Sequence, residues 1–119
     1  MQLHPGQLLT ETAVPPGTEQ LNTLLEGSGV RIERIVSHAC SSPEGFWYDQ
    51  PGDEWVLLVR GEATLEFDPG GRVSMKAGNY LLVPRRLRHR VVDTSEEAVW
   101  LAVHLAPDQN KGAADQPSP

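Results

Sequence analysis

Residues 53–61 read DEWVLLVRG, and residues 78–89 read GNYLLVPRRLRH. Each stretch contains a short apolar run bounded by glycine or proline, which is typical of a β-strand in a packed sheet. Glu54 stands at the head of the first run, where burying a carboxylate is costly unless a partner offsets the lost hydration. His89, at the end of the second stretch, is a candidate partner. The two stretches therefore predict strands and the position of a site.

The chain from Val30 onward follows the same pattern of short strands separated by turns. Residues 62–67 alternate apolar and polar side chains, and the DPGG sequence at residues 68–71 is a strong hairpin signal. Gly61 lies between two strands and indicates a kink or bulge. The pattern predicts an all-β antiparallel sandwich or barrel. We predict strands at residues 30–38, 46–49, 54–60, 62–67, 72–76, 80–83, 86–93 and 98–105.

The N-terminal region, residues 1–29, differs from the rest of the chain. Its first part contains several prolines and is expected to form an extended arm. Leu21, Leu24 and Leu25 then follow a threonine cap at helical spacing, and Gly27 supplies a stop signal. This spacing predicts one short helix that packs on the barrel.

The composition indicates a single soluble domain. A chain of 119 residues is long enough to bury one hydrophobic core, and 39% apolar with 22% charged residues excludes the disordered and membrane-spanning classes. We assign residues 30–106 to the barrel. Residues 107–119 have almost nothing to bury and are predicted to be a disordered tail.

Charge and cysteine content restrict the partners and the compartment. A net charge of -6 disfavours nucleic acid, whose binding depends on cations at phosphates. No apolar run is long enough to span a bilayer, so no membrane partner is expected. Cys40 is the single cysteine, and the first residues lack the pattern of a signal peptide. We therefore expect a cytoplasmic protein.

The spacing of the two opening stretches resembles the paired motifs of the cupin superfamily, whose members are small double-stranded β-helix, or jelly-roll, barrels. Glu54 and Gly61, with six residues between them, match the end of the first motif. Gly78, Pro84 and His89 match the second motif. The resemblance implies a jelly-roll barrel in which Glu54 points inward.

The resemblance covers roughly residues 30–105 and also implies a metal site inside the barrel. In the family this site uses two histidines of an HxH pair, the glutamate and the later histidine. The HxH pair is missing from this chain. Depending on the loop length, its positions fall on Trp47 and Asp49 or on Tyr48 and Gln50.

Residues 45–50, GFWYDQ, and residues 100–104, WLAVH, further resemble a group of small single-domain bacterial cupins of unassigned function. Two functions from different classes follow. The favoured one is a cupin that binds a small polar or anionic metabolite in the barrel interior without a metal. The alternative is a metal-dependent cupin enzyme of the isomerase, dioxygenase or lyase type with a divergent site. The sequence leaves open whether the protein is an enzyme.

Candidate ligand-binding residues lie around the two motifs. His89 shares a strand face with Leu87 and Val91, whereas the neighbouring arginines share the other face, so the imidazole is expected to point toward the core. An aromatic run precedes the first motif and is expected either to line the barrel mouth or to fill its interior. If it lines the mouth, Trp47 and Asp49 face inward and Tyr48 faces outward. The candidates are Trp47, Tyr48, Asp49, Glu54 and His89.

For the alternative function, Asp49 would replace a missing histidine. Asp49, Glu54 and His89 would then hold a divalent iron, manganese or zinc ion as two carboxylates and one imidazole. His38 and His104 are candidate additional ligands. The competing interpretation is that Glu54 and His89 form a hydrogen-bonded pair with no metal.

Two surface features remain. Residues 55–59 and 99–103 are apolar on both strand faces, which predicts that a homodimer covers the outer side of a sheet. Arg86, Arg88 and Arg90 share one face of their strand. We expect this row to be solvated and paired with carboxylates of the next strand.

Overall fold

The computed structural model describes residues 1–9 and 13–107, and within these residues it contains eight β-strands in two antiparallel sheets. The strands are β1 (Thr18–Gly27), β2 (Val30–His38), β3 (Glu54–Arg60), β4 (Glu62–Asp68), β5 (Gly71–Lys76), β6 (Tyr80–Val83), β7 (Arg88–Thr94) and β8 (Ala98–Leu105). One sheet has the order β1-β2-β8-β3-β6, and the other has the order β5-β4-β7. The all-β, jelly-roll prediction agrees with this architecture. None of the described segments forms a helix that is long and apolar enough to cross a membrane.

The predicted N-terminal helix is wrong, because its residues form β1. This strand pairs with β2 from Thr18 to Gly27, with one irregularity between Thr23 and Leu25. The extra residue at that bulge, Leu24, places neighbouring leucines on different faces, which imitates a helical spacing in the sequence. The free edge of β2 offers partners to the whole segment, and this long-range pairing overrides the local signal.

Two other predicted boundaries change. Residues 46–49 do not form a strand and contribute only an isolated bridge between Tyr48 and His89. The predicted strand at residues 86–93 begins later, at Arg88, because Arg86 has a positive φ of 66°. The predicted disordered tail, residues 107–119, lies outside the described residues except for Pro107.

The hydrophobic core lies between the two sheets. On β3, Glu54, Val56 and Leu58 are buried toward this core, while the alternate residues face the other way. Cross-strand register places like-facing residues side by side. The largest buried cluster comprises Val56, Leu58, Ala63, Leu65, Phe67, Met75, Val83, Ala98, Trp100 and Ala102.

The opposite side of the five-stranded sheet is also apolar. We call it the outer apolar face and define it by Ile32, Trp55, Leu57, Tyr80, Leu82, Leu101 and Val103. Val14 of the N-terminal arm covers one end of this side by packing on Val36 and Val99. Tyr80 and Leu82 nevertheless remain 67% and 54% exposed.

Candidate functional site

Glu54 and His89 meet in the space between the two sheets. Glu54 begins β3 in the larger sheet, whereas His89 lies on β7 in the smaller sheet, and each residue is 8% exposed. The Nε2 atom of His89 lies 3.6 Å from Oε1 of Glu54. The inward direction expected for both residues agrees with this placement.

The orientation of the His89 ring determines what this pair can do. Its Nδ1–H donates to the Leu87 carbonyl oxygen at 3.0 Å, so that Nε2 faces the carboxylate. Tyr48 and Phe67 stack on the ring, with centroids 5.3 and 5.9 Å away. Because Nδ1 already carries a proton, an attractive contact with Glu54 requires a further proton between Nε2 and the carboxylate.

The surroundings favour protonation of His89. Burial lowers the pKa of the imidazole, but the Glu54 carboxylate and the Leu87 carbonyl raise it by more, so the pKa lies above the ordinary value of 6.5. At neutral pH the protonated ring is therefore more populated than it would be in water. The pair is a proton donor and acceptor poised at the cavity wall.

This raised pKa predicts a pH-dependent stability. The protonated ring stabilises the fold fully below about pH 6.5, and this contribution is lost as the pH rises through the higher pKa of the folded state. Urea unfolding at a series of pH values should show this loss in the wild type and not in His89→Gln. The matched control is His38→Gln, whose imidazole does not line the cavity. Parallel pH profiles for wild type and His89→Gln would contradict the prediction.

A second imidazole and carboxylate extend the pair. His104 Nε2–H donates to Glu33 Oε1 at 3.0 Å and lies 3.9 Å from Glu54 Oε2. Arg31 Nε donates to the other oxygen of Glu33 at 3.1 Å. A continuous chain of charged and ionisable groups thus runs from His89 through Glu54, His104 and Glu33 to Arg31.

Glu33 was not predicted as a site residue, and His104 was predicted only as an additional metal ligand. Register explains their meeting: on β2 and β8, Arg31 lies opposite His104 and Glu33 lies opposite Ala102. Side chains directly opposite on antiparallel strands share a face. The alternation of residues along β2 is a weak signal that Glu33 points inward. It does not identify His104 as the partner, which lies 71 residues away in the chain.

These groups line a cavity of about 200 Å³ between the sheets. Its polar wall is formed by Glu19, Arg31, Glu33, Tyr48, Gln50, Glu54, His89 and His104, and its apolar wall by Leu21, Ile35, Val56, Leu65, Val83, Val91 and Trp100. Burial, aided by Glu19, Cys40 and Glu54, raises the pKa of the Tyr48 phenol. The phenol therefore remains a hydrogen-bond donor at neutral pH.

Trp47 and Asp49 lie outside this cavity, contrary to the predicted facing. The bridge between Tyr48 and His89 places Tyr48 on the inward side, so its two neighbours point the other way. Trp47 lies against the guanidinium groups of Arg88 and Arg90 at 5.0 and 4.7 Å. Asp49 pairs with Arg86 at 3.3 Å, and its side chain is 48% exposed.

Arg88 and Arg90 follow the expected pairing with carboxylates of the next strand, whereas Arg86 lies before β7 and pairs with Asp49. Arg90 pairs with Glu66 at 2.7 Å, and Arg88 pairs with Asp68 at 3.0 Å. Both carboxylates belong to β4, the neighbouring strand. These carboxylates neutralise the two arginines against which Trp47 lies.

The predicted metal ligands do not converge. Asp49 is on the outside, while His38 Nδ1 contacts the Val14 carbonyl oxygen at 2.7 Å and anchors the N-terminal arm. Among residues 1–9 and 13–107, no group of three or more His, Cys, Asp or Glu side chains has the arrangement of a metal site. The donor set of Asp49, Glu54 and His89 therefore does not fit a metal centre as predicted.

Fold and site together define a class: a small two-sheet β-barrel with a carboxylate and imidazole cluster in its interior. The Cupin domain family matches residues 31–104, and the chain belongs to this family. Comparison with curated proteins gives no match.

Solved structures agree with the family. A putative mannose-6-phosphate isomerase from Ralstonia eutropha is 43% identical, with a TM-score of 0.81 over 87% of this chain and 98% of that chain. A cupin superfamily protein from Desulfitobacterium hafniense is 19% identical, with a TM-score of 0.69 over 80% and 84% of the two chains. The EutQ protein of Clostridium difficile is 15% identical, with a TM-score of 0.62 over 76% and 69%. The last two similarities concern the fold alone.

Proposed function

We propose that the protein binds a small polyhydroxylated metabolite, a sugar or sugar phosphate, in the cavity between its sheets. The observation that carries this proposal is the cluster of Glu54, His89, His104 and Glu33 at the wall of an apolar cavity. Carboxylates accept hydrogen bonds from hydroxyl groups, and a protonated imidazole donates to a carbonyl or hydroxyl oxygen. Trp100 and Tyr48 supply aromatic surface for the apolar side of a sugar ring.

The size of the cavity and the related structure support the same ligand class. About 200 Å³ is below the roughly 300–1,000 Å³ of pockets for drug-sized ligands, so the ligand is small. The Ralstonia eutropha relative is a putative mannose-6-phosphate isomerase and is matched over 98% of its length. Mannose 6-phosphate is therefore a starting probe for this cavity.

A second candidate function is that of an isomerase. Moving a proton between neighbouring carbons of a hydroxy-carbonyl compound needs a group that accepts a proton and returns it. Glu54 and His89 form such a pair, with 3.6 Å between Oε1 and Nε2. This observation favours acid–base chemistry of the isomerase or lyase type over that of a dioxygenase, and the related structure from Ralstonia eutropha directs the test to isomerisation.

Ligand binding is tested by thermal unfolding and calorimetry with mannose, mannose 6-phosphate and fructose 6-phosphate, against a ligand-free sample of the same ionic strength as control. A sugar at 100 times its Kd should stabilise the fold by about 2.7 kcal/mol. Conversion of the aldose to the ketose in the same samples would support the isomerase function as well. If no sugar raises the unfolding temperature above that of the ligand-free sample, the binding proposal fails.

Elemental analysis of protein purified without chelator tests the metal-dependent form of the enzyme. Stoichiometric iron, manganese or zinc that is lost in Glu54→Ala/His89→Ala and retained in Asp49→Ala would support a metal centre at the inner pair. Retention in both variants would place any bound metal elsewhere on the protein. Asp49 serves as the contrast because its carboxylate is held by Arg86 outside the cavity.

We also propose that the protein is a cytoplasmic homodimer joined through the outer apolar face. Two charged residues, Arg34 and Arg60, have registered positions on this side. Arg34 donates to Asn22 Oδ1 and the Leu8 carbonyl oxygen, and Arg60 pairs with Glu97 at 3.5 Å. A face without free charge needs an apolar partner surface. A second copy presents one across a twofold axis, where each patch meets itself. The single cysteine is in keeping with a reducing compartment.

Leu82→Glu is expected to convert the dimer to a monomer, because it places a carboxylate in the apolar contact between the two copies. Size-exclusion chromatography with light scattering measures the mass directly. Ser74→Glu introduces the same charge at an exposed position of the other sheet and should leave the dimer intact. A monomeric wild type, or a dimeric Leu82→Glu variant, would refute the proposed interface.

A further inference from the structure

The inner cavity adjoins a second depression on the protein surface. This outer groove has a volume of about 370 Å³ and is bordered by the β1–β2 turn, the loop before β3 and the end of β8. Arg31, Gln50 and His104 line both the cavity and the groove. A ligand that is longer than the cavity would therefore pass these three side chains.

Arg31 is the cationic group at this junction. Its Nε donates to Glu33 Oε2 at 3.1 Å, and its side chain is 43% exposed. Glu33 occupies one edge of the guanidinium group, and the two terminal nitrogens make no ion pair with another described residue. A guanidinium group can bind a second oxyanion through that remaining edge.

Two carboxylates near the groove limit the strength of such a site. Asp53 accepts the Arg85 backbone N–H through Oδ1 at 2.8 Å. Glu26 lies directly opposite Arg31 in the β1–β2 register, but forms no ion pair with it. Glu26 therefore lowers the affinity of Arg31 for an anion by charge repulsion, but it does not occupy the guanidinium group.

We infer that Arg31 is an anion subsite that binds the charged end of the ligand while the hydroxylated end lies in the cavity. This inference rests on the proposed function and narrows its substrate class to metabolites with a hydroxylated head and one phosphate or carboxylate group. The Glu33 contact fixes the guanidinium plane. Arg31 acts as a specificity-determining residue, because it attracts the anionic derivative of a sugar and offers no ion pair to the neutral sugar.

Inorganic phosphate is the direct probe. Its binding is measured in NMR spectra of the full chain from the side-chain Nε–H signal of Arg31 and the backbone amide signals of residues 29–31 and 104–106. Phosphate should shift these signals in the wild type. The backbone amides, which all variants retain, should titrate about tenfold more weakly in Arg31→Gln and more tightly in Glu26→Gln. Arg31→Lys keeps the charge and should retain part of the affinity. Arg72→Gln, on the other sheet, should behave as wild type. Unchanged groove signals, or equal titration of wild type and Arg31→Gln, would overturn the subsite.

Mannose, mannose 6-phosphate and mannuronate separate this inference from the proposed function. Tighter binding of either anionic compound than of mannose, with the gain removed in Arg31→Gln, supports the subsite and tells phosphate from carboxylate. Binding of all three with equal affinity refutes the subsite and leaves the sugar site standing. Phosphate shifts at Arg31 without binding of any sugar refute the sugar site and leave the subsite standing.

Discussion

Gly61→Ala is expected to lower the free energy of unfolding by about 3 kcal/mol. Gly61 joins β3 to β4 with a φ of 91°, a conformation that side chains strain against. A Cβ atom here would also overlap the Glu97 carbonyl oxygen and lie 2.9 Å from the Ala98 Cα atom. Both obstacles are backbone groups, which cannot turn aside as a flexible side chain can.

Gly78→Ala is the matched control for this substitution. Gly78 has a similar φ of 95°, but an added Cβ would meet no atom within 4 Å. Gly78→Ala should lower the free energy of unfolding by only about 1 kcal/mol, because backbone strain is its single cost. Urea unfolding of both variants measures the difference. Equal losses would mean that the close approach at Gly61 contributes nothing.

Glu54→Gln is expected to weaken sugar binding about 100-fold, the equivalent of one lost hydrogen bond to a buried charged group. The amide preserves the shape of the side chain but removes the charge that attracts a proton to His89. Burial then dominates, and the pKa of His89 should fall. The cavity would lose a strong acceptor and a protonated donor together.

Calorimetry measures the affinity, and NMR titration of the His89 ring measures its pKa in the same variant. Asp49→Asn is the contrast, because this carboxylate pairs with Arg86 on the outside and should leave both quantities unchanged. If Asp49→Asn binds the sugar as weakly as Glu54→Gln does, Asp49 takes part in binding after all. Unchanged affinity in Glu54→Gln would remove Glu54 from the binding role.

Strands with a clear local pattern could be predicted with nearly correct bounds. β3, β6 and β8 begin and end where apolar runs meet glycine, proline or charged residues. β1 could not be predicted, because its leucines follow a helical spacing and only the edge of β2 makes them a strand. Local preference gives way where a long partner strand is available.

The site divides in the same way. The inward direction of His89 follows from alternation with Leu87 and Val91, and the structure places its ring 3.6 Å from Glu54. The facing of the aromatic run was predicted in the wrong sense, because the bridge between Tyr48 and His89 sets it and no local pattern does. The pairing of Glu33 with His104 likewise depends on the register of β2 against β8.

The sequence by itself determined the strand character of β2 to β8, the turn at residues 68–71 and the inward side of β7, because each depends on neighbours a few residues apart. Only the tertiary structure decided that Tyr48 faces the cavity, that Asp49 does not, and that Glu33 and Arg31 extend the Glu54 and His89 pair. These positions depend on which strands lie side by side and in what register. A shift of one residue in that register would exchange the inward and outward side chains.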